Sequence, residues 1–144
     1  MTISQSLPLT AYCNKILPLR AQAEVRNRWL KQRLDEFLPE LMGREGVDLW
    51  LIVAREYNED PVIMTFLPEP AMTARRRTIL AFARRADGTV ERLTLDRYGH
   101  GDYYTKGWEP DQEDQFACLA RVVRERDPQS IGLNYADEFP LAMG

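Results

Sequence analysis

Apolar residues return every three or four positions across 20–42: Val25, Trp29, Leu30, Leu34, Phe37, Leu38 and Leu41. Arg26, Lys31, Arg33, Asp35 and Glu36 take the other face. This spacing predicts a long amphipathic helix. Pro39 is expected to kink or shorten its last turn, because the ring cannot donate a backbone hydrogen bond. Gly43 and Gly46 are expected to stop it. The period then vanishes. Residues 48–54, Asp-Leu-Trp-Leu-Ile-Val-Ala, are apolar without alternation, which predicts a strand buried on both faces inside a helix-covered sheet.

A polar turn follows at 55–61. Residues 61–66 read as a short helix or turn, and Leu67-Pro68-Glu69-Pro70 as a break. Two further strands, 78–83 and 90–95, flank Ala86-Asp87-Gly88-Thr89, a hairpin signal. Leu93 and Leu95 would share one face, with Arg92 and Thr94 on the other. Asp111 reads as the N-cap of a second helix with an apolar stripe of Phe116, Leu119, Ala120 and Val123. Arg121, Arg124 and Arg126 suit its C-terminal end, and Asp127-Pro128 closes it. Residues 131–134 form a last short strand. The order predicts an α/β domain, a mixed β-sheet flanked by helices, over 19–144. Residues 1–18, with Pro8 and Pro18, read as an irregular arm. A length of 144 residues suits one domain with its own core.

Composition narrows the function classes. The formal net charge is −3, and the densest basic run, Arg75-Arg76-Arg77, reads as a solvated face, so no nucleic-acid partner is expected. Cys13, Cys118 and the single His100 are too scattered for a zinc site. Cys118 reads as a small core residue. No secretory signal or membrane-spanning run occurs, and a cytoplasmic protein is expected. There is no Gly-x-Ser-x-Gly elbow, Walker loop or Gly-x-Gly-x-x-Gly. Asp48, Glu56, Asp96 and Asp137 flank strands, as a two-metal nuclease would require; they read instead as solubilising strand ends.

Two stretches remain as candidates for contact. In 97–111, His100, Tyr103, Tyr104 and Trp108 are interspersed with Gly99, Gly101 and Gly107. That mixture reads as a mobile, adhesive loop and an interface. The turn with Arg55, Tyr57 and Asn58 leaves the carboxyl end of the buried strand, where α/β sheets hold ligands.

The arrangement as a whole resembles the N-terminal domain of the creatinase, prolidase and Xaa-Pro aminopeptidase family, the pita-bread metallopeptidases. Leu19-Arg20 before a long helix, Gly46-Val47-Asp48-Leu49-Trp50-Leu51-Ile52-Val53, Asn58 with Met64-Thr65-Phe66, Arg77 with Ile79-Leu80-Ala81-Phe82 and Asp87-Gly88, and Ile131-Gly132-Leu133-Asn134 carry the resemblance. It departs at Phe66, which follows Thr65 without the family's glycine, and at Glu59-Asp60-Pro61. The resemblance implies a ribonuclease H-like motif and a homodimer. It also implies a separate C-terminal catalytic domain holding two divalent metal ions (Mn, Co or Zn). No catalytic or metal-binding residue is carried over, so the chain alone is expected to be inactive. Arg55, Tyr57, Asn58, His100, Tyr104 and Trp108 become expected substrate-channel or subunit contacts. The end of the chain, 137–144, reads as the start of an unfinished helix. The rival expectation is a stand-alone α/β ligand-binding or protein-interaction module.

Overall fold

A computed structural model describes residues 15–57, 59–71 and 73–134. The arm at 1–18 falls almost wholly outside this range, as do Cys13, Asn58 and the stretch 137–144. The apolar run of the first strand, β1 (Leu49–Arg55), pairs antiparallel with β2 (Arg77–Arg84), from Leu49 opposite Ala83 to Arg55 opposite Arg77. β2 pairs antiparallel with β3 (Val90–Thr94) through the expected hairpin, where Gly88 takes φ 83°. A two-residue strand, β4 (Thr105–Lys106), runs parallel to β3, and β5 (Ile131–Leu133) runs parallel to β1. The order is β4-β3-β2-β1-β5. The protein is thus α/β, with a five-stranded mixed sheet flanked by helices.

Both faces of β1 and β2 are covered, which is why neither strand alternates in polarity. One face carries Ile52, Ala54, Leu80 and Phe82 against the N-terminal helix and Ile63 and Phe66. The last two belong to a single helical turn, α3 (Ile63–Phe66). The opposite face carries Leu49, Leu51, Ile79, Ala81, Ala83, Leu93 and Leu95 beneath α4 (Gln115–Arg126).

The predicted N-terminal helix is three consecutive pieces: α1 (Leu19–Gln32), a π-helical stretch (Arg33–Phe37) and α2 (Leu38–Glu45). Its buried residues are Leu30, Leu34, Leu38 and Met42, each four positions after the last. In an ideal helix four residues overshoot one turn by about 40°, so such a row drifts off its face. The wider turn, in which the Leu38 N–H reaches the Arg33 carbonyl, takes up the extra residue. It also lies just before Pro39, whose missing N–H and bulky ring disfavour a regular ladder there. Trp29 and Phe37, expected in the core, lie beside this row and are 58% and 51% exposed. Gly46, at φ 65°, terminates the helix, whereas Gly43 lies within it.

Two readings of α4 are corrected. Its N-cap is Asp114, not Asp111: the Asp114 carboxylate accepts the N–H groups of Phe116 (2.9 Å) and Ala117 (3.2 Å). Its inward line is Gln115, Cys118 and Val122, with Leu119 and Val123 partly buried; Phe116 and Ala120 face solvent. Cys118 behaves as the small core residue expected of it. Among the described residues, no helix is long and apolar enough to cross a membrane.

Phe82 is the centre of the larger core. Its ring centroid lies 5.1 Å from Phe66, 5.7 Å from Trp50 and 6.0 Å from Tyr104. Because the ring is fully enclosed, Phe82→Ala is expected to lower unfolding free energy by about 3–5 kcal/mol. Urea denaturation measures this; a loss below about 1 kcal/mol would show that the cluster collapses around the deletion.

Candidate functional site

The 97–111 segment is anchored by a buried carboxylate. Asp96 Oδ1 accepts the N–H groups of Tyr98 (3.0 Å) and Gly99 (2.6 Å), folding the chain sharply after β3. Its Oδ2 lies 2.7 Å from His100 Nε2, and both side chains are almost fully buried. Gly99 (φ 72°) and Gly101 (φ 55°) supply the left-handed backbone that the fold-back needs. Burial alone would raise the Asp96 carboxyl. The close approach of His100 and the two backbone donors outweigh it and hold the group below the usual carboxylate range.

The segment then turns inward. A 3-10 turn (Gly101–Tyr103) leads into β4. Tyr104 is buried, its hydroxyl donating to the Phe66 carbonyl at 2.7 Å and its ring packing edge-on to His100 at 5.9 Å. Burial pushes its phenol far above the ordinary value, so it remains a donor. Trp108 is half-buried beside the α4-covered core and donates from Nε1 to the Glu113 carbonyl at 2.8 Å. His100, Tyr104 and Trp108 are therefore engaged within the domain. Truncating Tyr104 or Trp108 would act first on folding.

The other candidate turn faces outward. Arg55 is exposed at the end of β1, and Tyr57 is 94% exposed on a left-handed backbone (φ 69°). Asn58 lies outside the described residues. The turn is joined to the residues preceding β2: the Glu56 N–H donates to the Arg76 carbonyl at 2.7 Å, and the Arg76 N–H to the Glu56 carboxylate at 3.4 Å. Arg76 is also left-handed (φ 59°). Arg75, Arg76, Arg77, Arg97 and Tyr98 line a recess of about 400 Å³ at this end of the sheet. The arginine triplet, expected as a solvated face, is exposed at Arg75 and Arg76 and partly buried at Arg77. The pairing of Arg55 with Arg77 brings it beside the Arg55 turn.

Compared with known proteins, the chain matches no family model, no curated protein and no solved structure.

Of the strand-flanking carboxylates, Asp48 and Asp96 tie elements of the fold together, and Asp137 lies outside the described residues. Asp48 pairs with Arg84 at 2.7 Å and accepts the N–H groups of Gln129 and Ser130, tying β5 to β1. Asp60 accepts the Val62 N–H at 2.7 Å and the Asn134 amide; Asn134 in turn accepts the Trp50 indole N–H at 2.9 Å. No group of three or more His, Cys, Asp or Glu side chains able to hold a metal ion occurs among the described residues. Cys118 lies on the inward face of α4, where burial and the Glu113 carboxylate push its thiol up to about 11.

Asp96→Asn is expected to cost about 1.5–3 kcal/mol at neutral pH by weakening charge-assisted backbone bonds. A carboxyl depressed on folding adds stability above its unfolded pKa, about 3.9, and loses it as pH falls through the folded value. Urea unfolding should therefore show a gap between the native chain and the variant at neutral pH that narrows as pH falls below about 4. A gap independent of pH down to about pH 2 would rule out the carboxylate as its source.

Proposed function

We propose that this chain is the non-catalytic N-terminal domain of a metal-dependent Xaa-Pro dipeptidase or aminopeptidase-like hydrolase, contributing to dimerisation and to the wall of the active site. The observation that carries the reading is the display of Tyr57. A large aromatic side chain on a left-handed, unfavourable backbone is held almost wholly in solvent at the carboxyl end of a buried strand. Within the domain it gains almost no burial; against a partner it would supply a rigid amphipathic anchor. The sheet is compatible with the ribonuclease H-like motif of that family: three antiparallel strands, then a helical crossover to a strand parallel to the first.

On this reading a cytoplasmic homodimer carries its two divalent metal ions (Mn, Co or Zn) in a separate C-terminal catalytic domain. The described residues do not fit that role. Asp96 and His100 are buried against one another, and Asp48 and Asp60 bind backbone and side-chain donors of their own fold. This chain would contribute surface and position, with no chemical step of its own. A stand-alone ligand-binding module is the second reading, favoured by the arginine recess beside the same turn.

The purified 144-residue chain is expected to leave Xaa-Pro dipeptides intact in the presence of Mn, Co or Zn. Turnover that co-purifies with the chain would overturn the proposal. In the natural protein carrying this sequence, Tyr57→Ala should weaken dimerisation or raise KM several-fold. The stability of the isolated chain should change by less than about 0.5 kcal/mol, as expected for an exposed side chain. Unchanged sedimentation mass together with unchanged kinetics would remove the contact role.

A further inference from the structure

Several arginines elsewhere in the fold pair with carboxylates: Arg26 with Glu69, Arg84 with Asp48, Arg92 with Asp35, Arg121 with Glu113 and Arg126 with Glu91. At one end of the sheet the pattern stops. Arg55, Arg75, Arg76, Arg77 and Arg97 form no ion pair among the described residues. Arg55 and Arg77 are direct cross-strand partners, an arrangement in which like charges repel. Glu56, the acid at the rim, accepts the backbone N–H of Arg76 and forms no ion pair with a guanidinium. In a chain of net charge −3, this concentration of unpaired positive charge is a local conflict that the domain leaves unresolved.

Two of these guanidiniums are nevertheless held in place. Arg77 lies over the Phe116 ring, 4.5 Å from its centroid, and Arg75 over Tyr98 at 5.5 Å. Such contacts engage the flat face of the cation and leave its in-plane N–H donors free. One of those donors, Arg77 Nε, is withdrawn from solvent without an acceptor, the condition that makes a polar group costly to bury. The recess the arginines line, about 400 Å³, is in the range of small-molecule sites.

We propose that this recess binds a small multivalent oxyanion, a phosphoryl or polycarboxylate compound, with Arg75, Arg77 and Arg97 donating to its oxygens. Fork-shaped donors match the paired oxygens of both groups, and a multivalent anion would relieve the repulsion among several cations at once. The assignment rests on this chain alone and does not depend on the peptidase reading.

Isothermal titration of the chain in about 150 mM salt, where diffuse surface attraction is largely screened, tests it with pyrophosphate and citrate as probes. Saturable 1:1 binding of pyrophosphate, citrate or both supports the site, and the tighter probe identifies the chemistry. The double variant Arg75→Gln/Arg97→Gln should lose at least about tenfold in affinity, as removal of charge-assisted donors does. It should fold normally and melt no lower than the native chain when no anion is present. The charge-matched control Arg28→Gln/Arg124→Gln alters exposed arginines on α1 and near the C-terminal end of α4 and should bind as the native chain does. No saturable binding of either probe, or equal loss in the control, would overturn the proposal.

Discussion

The seven-residue antiparallel ladder between β1 and β2 is the constraint on which the rest of the fold depends. Its residues are apolar on both faces, so neither face can be left to water. Each must be covered by a different part of the chain, and that requirement sets the architecture. The N-terminal helix supplies a four-residue row of Leu30, Leu34, Leu38 and Met42 to one side, and α4 supplies Cys118 and Val122 to the other. The chain's only route from the hairpin to a strand parallel to β1 is then a crossover over the second face, which α4 provides. The π-helical stretch is a local consequence of the same demand: a row spaced by four residues stays against a flat sheet only if the helix widens.

Polar groups enter this core where the chain must turn. Asp48 and Asp96 sit at opposite ends of the sheet, and each uses its carboxylate to gather backbone N–H groups. Asp48 fastens β5 to β1, and Asp96 folds the chain back from β3 toward β4. Tyr104 supplies the link between that return and the aromatic cluster, donating to Phe66 from beneath Phe82. The segment richest in chemically versatile side chains is therefore the one most occupied with internal bonds.

Patterns that involve near neighbours were legible in the sequence. The unbroken apolar run of β1, the Asp87-Gly88 hairpin and the last strand at 131–134 follow from local composition, and the structure places them accordingly. Distinctions that depend on a distant partner were not. Trp29 and Leu30 are adjacent and similarly apolar, and only the position of the sheet decides which is buried. Asp111 and Asp114 are both competent caps; the choice of Asp114 follows from the placement of Gln115, which donates to the carbonyls of Arg77 and Leu95. His100 reads as an exposed loop residue until Asp96 is known to enclose it. Arg75-Arg76-Arg77 reads as a solvated run, and Arg75 and Arg76 are exposed, but its place beside the Arg55 turn follows only once β1 and β2 are in register.

That last case separates the two ends of the sheet physically. At the Asp48 end, charge is matched: Asp48 meets Arg84, and Glu91 meets Arg126 across strand and helix. At the other end, two non-glycine residues, Tyr57 and Arg76, hold left-handed backbone, and two arginines face one another across the ladder. Like-charge neighbours reduce stability, so an end that only closed the sheet would avoid them; left-handed backbone alone does not separate the ends, since Asp127 (φ 41°) adopts it near Asp48. The facing arginines, beside an exposed tyrosine and a guanidinium-lined recess, give that end a different physical character from the rest of the surface. The well-paired end and the double-sided core supply rigidity, and the unpaired end presents an exposed tyrosine and cations, two of them held over aromatic rings. A contact or ligand of complementary charge would complete interactions that the folded chain leaves open.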